Sequence, residues 1–295
     1  MRYVLCAIML ALVGALVLAG CKGSEEQTTS GPTTPPAATK SAAVPAPATP
    51  VTGDITVFVP CGMQGPLVKA FELFQEQNPG VKFHRQILNI DVILEEILTK
   101  GTPADCMISI GDVETKLLQD EGKVDGDVVK LAENGLAITV PLGNPAGVKS
   151  VEDLTKDTVK TVGLVDSTRM SVGYYGEQAL KNAGVFDKIA GKLYRPKAPA
   201  EIKAQCAQKK IEAGIGYATC MVEAKAPGGE PVVAEKSEGV CEVPHDLYDR
   251  FYATAVVLKG AGNPEAARAF ITFLATNPEV QKMLVSYGLK PLGGA

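Results

Sequence analysis

Two loops of this chain pair turn residues with the expected start of a helix, an arrangement that suits anion binding. The first loop runs from Pro60 to Pro66 after an apolar run, and the second, residues 166–173, follows another. The first amides of a helix lack acceptors within the helix, and the peptide dipoles add partial positive charge there. Backbone amides at these two helix starts can therefore hold a small anion without a dedicated cation.

The cysteines of the chain could support a second kind of chemistry, either disulfide bonds or the binding of a soft ligand. The chain has seven cysteines, and Cys6 and Cys21 lie in its N-terminal segment, which leaves an odd number in the rest. In an oxidising compartment at least one thiol then has no intramolecular partner. We expect two disulfide bonds and one buried thiol, and a soft-ligand site remains an alternative. The remaining cysteines are Cys61, Cys106, Cys206, Cys220 and Cys241.

Motifs that indicate an enzyme are absent from the sequence. It has no Gly-x-Ser-x-Gly elbow, no Walker loop, no His-Glu-x-x-His pair and no Cys-x-x-Cys. The two histidines, His84 and His245, are expected to be hydrogen-bonded structural residues. Basic residues are scattered and the net charge is −4, which argues against a nucleic-acid partner. We therefore predict a ligand-binding protein that is not an enzyme and uses no cofactor.

The N-terminal segment predicts export and a membrane tether. A basic second residue precedes an uninterrupted apolar run that ends in Leu18-Ala19-Gly20-Cys21, and these four residues resemble the bacterial lipobox. This predicts a signal peptide over residues 1–20 and a lipid on Cys21 that holds the protein at a membrane. Residues 21–53 are mostly Ser, Thr, Ala, Pro and Gly, which predicts a disordered linker. The folded body is expected to follow that linker.

Strand and helix patterns alternate along the body. Apolar runs at residues 55–59, 81–87 and 106–110 predict strands, and helical spacing lies between them at residues 67–74 and 92–98. This βαβαβ order predicts an α/β fold with a mostly parallel sheet. A second alternating set has strands at residues 137–141, 161–165, 214–217, 231–233 and 252–258, and helices at residues 173–182, 200–213, 264–276 and 277–287.

Short segments spread over the body carry a family resemblance. They are Ile55-Thr56-Val57-Phe58, Gly101-Thr102-Pro103-Ala104-Asp105, Gly214-Ile215-Gly216-Tyr217, Ala253-Thr254-Ala255-Val256-Val257 and Tyr287-Gly288-Leu289. In this order, over residues 54–292, they resemble the molybdate-binding component of bacterial ABC transporters. The resemblance implies a type II periplasmic-binding-protein fold of two lobes, each a mixed, mostly parallel sheet flanked by helices, with two crossovers. Residues 54–138 and 253–295 would form lobe 1, and residues 139–252 would form lobe 2.

The resemblance also implies how an oxyanion would be held. Contacts are expected from the backbone amides of Gly62, Met63, Val172 and Ile202 and from the Tyr217 hydroxyl. The two serines that the family uses are replaced, the first by Gly62 and the second within Asn89-Ile90-Asp91. A carboxylate buried beside the ligand would repel it unless protonated or turned away. Other residues expected near the cleft are Asn89, Asp91, Arg169, Met170 and Ser171.

We therefore predict a substrate-binding lipoprotein of an ABC importer that captures a tetrahedral oxyanion of the molybdate, tungstate or sulfate type in an interlobe cleft. Its partners would be a permease with its ATPase and, through the lipid, a membrane of the cell envelope. The body would lie in the periplasm or outside the cell, as a monomer. One alternative keeps the fold but binds a soft metal or metalloid through Cys61, Met63 and Cys220. Another is a sensory lipoprotein that signals to a membrane partner.

Overall fold

The structure, a computed structural model, describes residues 50–221 and 237–293. The predicted signal peptide, the lipid on Cys21, nearly all of the linker and the strand at residues 231–233 lie outside the described residues, as does the side chain of Cys220. No helix within the described ranges has the length and apolar character needed to cross a membrane.

Strands and helices alternate through most of the described body. In chain order the elements are β1 (Gly53–Pro60), α1 (Gln64–Gln77), β2 (Val81–Leu88), α2 (Ile90–Glu95), β3 (Cys106–Ser109), α3 (Val113–Asp120), β4 (Val129–Asn134), β5 (Leu136–Pro141), β6 (Val162–Gly163), α4 (Ser171–Asn182), β7 (Leu193–Tyr194), α5 (Pro199–Ala207), β8 (Ala213–Tyr217), β9 (Ser237–Glu242), β10 (Phe251–Val257), α6 (Pro264–Thr276) and α7 (Pro278–Ser286). A single 3-10 turn, Cys61–Met63, leads from β1 directly into α1.

The strands form two sheets, one in each lobe, which confirms the predicted two-lobed α/β fold. The strand order is β2-β1-β3-β10-β4 in lobe 1 and β7-β6-β8-β5-β9 in lobe 2. The expectation of mostly parallel sheets is wrong in detail, because each sheet has two parallel and two antiparallel pairs. The antiparallel pairs all involve β5 or β10, the strands by which the chain enters lobe 2 and returns to lobe 1.

The chain passes between the lobes at two points. The first is Gly135, between β4 and β5, where the Asn134 side chain accepts from the Gly135 amide at 2.8 Å and donates to the Ile110 carbonyl at 2.8 Å. The second precedes Phe251, the first residue of β10. In the structure both lobe boundaries lie slightly before the positions expected, which were after residues 138 and 252. Leu136 already pairs with Tyr217 in lobe 2, and Phe251 already pairs with Asn134 in lobe 1.

Aromatic side chains fill the core of lobe 1 and the region where the lobes join. In lobe 1, the rings of Phe71 and Phe270 stack with centroids 5.0 Å apart, between α1 and α6. A second group, called the junction cluster here, consists of Tyr175, Tyr217, Tyr248 and Phe251. Because it joins α4 and β8 of lobe 2 to β10 of lobe 1, the junction cluster holds the site residue Tyr217 in place.

Both histidines make the hydrogen bonds expected of structural residues. His84 Nε2 lies 2.9 Å from Asp54 Oδ2, and His245 Nδ1 lies 3.2 Å from Tyr248 Oη. Within the described residues, no group of three or more His, Cys, Asp or Glu side chains is arranged to hold a metal ion.

Candidate interlobe site

A cavity of about 330 Å³ lies between the lobes, near the carboxyl ends of their parallel strands, where open α/β sheets bind ligands. This volume is at the lower end of the roughly 300–1,000 Å³ range of small-molecule pockets. Lobe 1 contributes the loops after β1, β2 and β3, and lobe 2 contributes β5, β8 and the start of α5. The lining residues used below are Cys61, Gly62, Asn89, Ile110, Thr139, Ile202, Lys203, Tyr217, Thr219 and Tyr287.

The structure brings part of the predicted oxyanion set to this cavity. Gly62, Ile202 and Tyr217 line it, and Asn89 from the wider set lies there too. Gly62 is in the first helical turn after β1, where amides have no acceptor within the helix. Met63, in the same turn, has a fully buried side chain in the hydrophobic core.

Three predicted cleft residues lie along a neighbouring cavity of about 770 Å³ instead. They are Asp91 from lobe 1 and Arg169 and Met170 from lobe 2. Asp91 Oδ1 is buried without a hydrogen-bond partner among the described residues, and Asp91 does not line the smaller cavity. The carboxylate that departs from the family pattern therefore lies outside the cavity that Gly62 and Tyr217 line.

The remaining predicted residues, Ser171 and Val172, lie at the amino end of α4, which faces a carboxylate of the other lobe. Glu114 on α3 is fully buried and accepts hydrogen bonds from the Ser171 amide at 3.0 Å and from the Ser171 hydroxyl. Tyr217 Oη lies 3.4 Å from Glu114 Oε1 and accepts the Val172 amide at 3.3 Å. The Val172 amide, which was predicted to face an oxyanion, and the neighbouring Ser171 amide thus donate to protein groups.

Beside the contact between Glu114 and Ser171, a second hydrogen bond joins the two lobes. The Tyr175 hydroxyl on α4 donates to Asp112 Oδ1 at 3.0 Å, and Asp112 directly precedes α3. Burial raises the pKa of the Asp112 carboxyl, against the lowering effect of the Tyr175 hydrogen bond. Burial and the nearby Asp112 carboxylate also raise the pKa of the Tyr175 hydroxyl, so that it stays a donor at neutral pH.

Two residues of the interlobe region were not marked by any pattern in the sequence. Thr139 is 1% exposed and lines the cavity, but its Oγ1 has no hydrogen-bond partner among the described residues. It stands in the β-branched run of β5, where threonine is an ordinary strand residue. Glu114 lies in a polar stretch typical of a solvated helix face. Their positions near the site become apparent only in the tertiary structure, where the two lobes approach each other.

The expected disulfide bonds are wrong. The thiols of Cys61, Cys106, Cys206 and Cys241 are all free, so the five cysteines of the body cannot form two pairs. Cys106 is fully buried in the sheet of lobe 1, and Cys206 is fully buried on α5. Burial raises the pKa of the Cys106 thiol well above its usual range, and that of Cys206 to about 12, so both thiols are core groups that stay protonated.

The soft-metal alternative finds little support in the described side chains. Cys61 is exposed and lines the cavity, whereas the thioether of Met63 is buried in the core. The third proposed ligand, Cys220, has a side chain outside the described part of the structure. A single exposed thiol at the cavity is a poor substitute for the several sulfur ligands that such ions require.

Comparisons with known proteins agree with the two-lobed fold. Residues 55–290 match the family described as bacterial extracellular solute-binding protein. The chain is 25% identical to the molybdate-binding protein ModA of Haemophilus influenzae over 242 residues, which cover 79% of this chain and 89% of that protein. The fold is similar to the periplasmic molybdate-binding protein of Azotobacter vinelandii (TM-score 0.63, 15% identity, 80% and 98% of the two chains covered). It is also similar to the sulfate-binding protein SubI of Mycobacterium tuberculosis (TM-score 0.65, 17% identity, 81% and 87% covered).

Proposed function

Because this chain belongs to the bacterial extracellular solute-binding proteins, we propose that it captures a small tetrahedral oxyanion, of the molybdate, tungstate or sulfate type, in the interlobe cavity. The observation that carries the proposal is the charge of the cavity wall. Among the described residues that line it, Lys203 is the one charged residue and none carries a carboxylate. Hydroxyls of Thr139, Tyr217, Thr219 and Tyr287 accompany this cation.

Backbone groups of both lobes support the same ligand class. Gly62 lies in the first helical turn of lobe 1, and Ile202 lies in the first part of α5 in lobe 2. The positive ends of these helices favour an anion between them. A ligand held by both lobes binds the closed arrangement better than an open one, so it shifts the protein toward closure. Closure is the change by which a membrane partner can distinguish loaded from empty receptor.

The similar proteins support an oxyanion as the class of ligand, but they do not single out one ion. Relatives named for molybdate and sulfate share this fold, and the resemblance to the molybdate-binding family predicted from the residues is confirmed. Membership in a family of solute-binding proteins agrees with the expectation that the protein is not an enzyme. For this chain, molybdate and tungstate are the first ligands to test.

The proposed function includes delivery to a membrane. The lipobox-like residues before Cys21 would place a lipid there, and the Pro- and Ala-rich linker would connect it to the body. We infer an ABC permease with its ATPase as the partner of a monomeric receptor in the periplasm or outside the cell. Tethering raises the effective concentration of the receptor beside that permease. Metabolic labelling with a lipid precursor, compared between wild type and Cys21→Ser, tests the anchor.

The ligand is tested by titration calorimetry of the reduced protein with molybdate, tungstate, sulfate, arsenite and Cu(I). We expect saturable binding of a tetrahedral oxyanion at one site, with competition among the oxyanions that bind. Binding of Cu(I) or arsenite alone, lost in Cys61→Ser, would replace this proposal by the soft-ligand alternative. Absence of binding by every oxyanion would refute it.

Thr139 provides a substitution whose effects on stability and on binding should differ in sign. Removing the unpartnered hydroxyl in Thr139→Val should leave the free energy of unfolding unchanged or raise it by about 1 kcal/mol, since a buried polar group without a partner is unfavourable. The same change should weaken oxyanion binding by about tenfold, because the ligand loses one hydrogen bond. Urea unfolding and calorimetry measure the two effects.

Thr254→Val is the matched control. Thr254 is also a buried strand threonine, but its hydroxyl donates to the Gly111 carbonyl at 2.8 Å and contacts the Thr115 hydroxyl. This variant should lose about 1 kcal/mol of stability. Equal affinity in wild type and Thr139→Val would exclude Thr139 as a ligand contact.

A further inference from the structure

The amino end of α4 is bound by a carboxylate of the protein itself. Glu114 of lobe 1 reaches across the interlobe boundary and accepts both the amide and the hydroxyl of Ser171, and it is completely buried. The Tyr217 hydroxyl is its third donor, at 3.4 Å. Helix-start amides and a tyrosine hydroxyl are the kinds of donor expected for an external oxyanion. Glu114 therefore occupies one helix end that would otherwise favour a ligand anion.

The backbone around Glu114 is adapted to this close approach. The Ser171 hydroxyl accepts a hydrogen bond from the Val113 amide at 3.0 Å and donates one to Glu114, so it acts as both acceptor and donor. A Cβ atom built on Gly111 would lie 2.1 Å from Ser171 Oγ. Any residue with a side chain at this position would therefore clash with Ser171, and only glycine fits. The loop between β3 and α3 thus docks against α4 through specific contacts.

Tyr217 connects Glu114 to the cavity. Its side chain lines the cavity wall, and its hydroxyl already accepts the Val172 amide. A tyrosine hydroxyl has one proton, which can be donated to Glu114 or to a ligand but not to both. An oxyanion hydrogen-bonded to Tyr217 would also come within roughly 6 Å of the Glu114 carboxyl, a range over which like charges disfavour each other.

We propose that Glu114 is an internal anion that competes with the ligand for Tyr217, and that oxyanion binding in the cavity is coupled to uptake of a proton by Glu114. Protonation removes the repulsion and makes Glu114 a weaker acceptor, so the Tyr217 hydroxyl donates to the ligand instead. Coupling of this kind is reciprocal, so the ligand favours the protonated carboxyl as much as the proton favours the ligand. The ligand part of this inference rests on the proposed function, whereas the contacts of Glu114 do not.

Burial and a neighbouring carboxylate favour protonation of Glu114, whereas its hydrogen-bond donors favour the anion. Burial is the largest influence and raises the pKa of the Glu114 carboxyl, and the Asp112 carboxylate raises it further. The hydrogen bonds from Ser171 act in the opposite direction. Tyr217 faces Glu114 from β8, and the Tyr175 hydroxyl faces Asp112. None of the ion pairs among the described residues includes Glu114.

The raised pKa fixes the sign of the pH dependence. A carboxyl whose pKa is higher in the folded than in the unfolded protein stabilises the fold when protonated, and this contribution is lost as pH rises through the folded-state pKa. The ordinary value for this carboxyl is 4.5, so the loss occurs above it. Glutamine has the shape of the neutral acid, and Glu114→Gln should remove this pH-dependent loss.

Glu114→Gln is compared with wild type and with Asp120→Asn, a control on the same helix whose exposed carboxylate pairs with Lys116. Molybdate is titrated calorimetrically at several pH values and in two buffers of different ionisation enthalpy, which reports proton uptake. Wild type and Asp120→Asn should take up a proton on binding and bind more weakly as pH rises. Glu114→Gln should take up less and bind about 5- to 150-fold more tightly at mildly alkaline pH.

The outcomes separate this inference from the proposed function. Equal proton uptake and equal pH dependence in wild type and Glu114→Gln would refute the coupling while leaving oxyanion binding intact. If molybdate, tungstate and sulfate bind neither protein, the proposed function itself is wrong. Urea unfolding over the same pH range supplies a readout without ligand: a stability curve of Glu114→Gln identical in shape to wild type would show that Glu114 is not titrating in the fold.

Discussion

Phe251→Ala is expected to lower the free energy of unfolding by about 3–5 kcal/mol, as for other buried phenylalanines. Phe251 is fully buried at the start of β10 and stacks on Tyr175 with ring centroids 4.5 Å apart and planes at 11°. Its ring also packs beside Tyr217 at 6.2 Å. Since this junction cluster spans both lobes, the cavity left by alanine should also loosen Tyr217 and weaken oxyanion binding. Urea unfolding and molybdate calorimetry test both effects.

Phe251→Leu separates volume from aromatic stacking. Leucine keeps most of the buried volume, so its cost should be under about 1.5 kcal/mol if filling space is what matters. A leucine variant as unstable as the alanine variant would show that the stacking on Tyr175 dominates instead. Unchanged stability in Phe251→Ala would contradict the role assigned to the junction cluster.

Asp105→Ala is expected to lower the free energy of unfolding by about 2–6 kcal/mol, since two partly buried backbone amides lose their acceptor and each loss costs about 1–3 kcal/mol. Asp105 is 6% exposed, and its two carboxylate oxygens accept the Thr56 and Asn263 amides, each at 2.7 Å. It thereby joins β1 to Asn263, the residue that caps the start of α6. Urea unfolding measures the loss.

Asp105→Asn is the matched variant, with an intermediate loss expected. Its amide oxygen still accepts one of the two backbone groups, but its NH2 meets the other as a second donor. Oxyanion affinity, measured under conditions in which the variant is folded, should stay near the wild-type value because Asp105 does not line the cavity. An asparagine variant as stable as wild type would mean that only one of the two hydrogen bonds matters.

Elements with strong local signals were predicted well from the sequence. Helix α6 spans the predicted residues, and α7 differs from its prediction by one residue at each end, because Asn263 and Asn277 cap the two helices and a proline follows each cap. The helix predicted at residues 200–213 ends at Ala207, since Lys209 takes a positive φ of 55° and β8 starts at Ala213. Elements α3, β4, β7 and β9 were not predicted, because their short or polar segments lack a clear period.

The cysteine prediction failed for a physical reason. Several cysteines in a chain that is predicted to be exported favour disulfide bonds, but pairing requires Cα atoms within about 7 Å. Cys106 belongs to the sheet of lobe 1 and Cys206 to a helix of lobe 2, and both are buried as small apolar side chains. Counting residues gives no information on such distances.

The sequence by itself determined the α/β alternation and the family, because strand periodicity, helix caps and short characteristic segments are properties of neighbouring residues. Tertiary structure alone decided which of the predicted residues line the interlobe cavity. Gly62 and Tyr217 meet at one cavity, whereas Ser171 meets Glu114, 57 residues away on the other lobe. That choice depends on how closely the lobes approach and on which carboxyl becomes buried between them, and no local pattern carries that information.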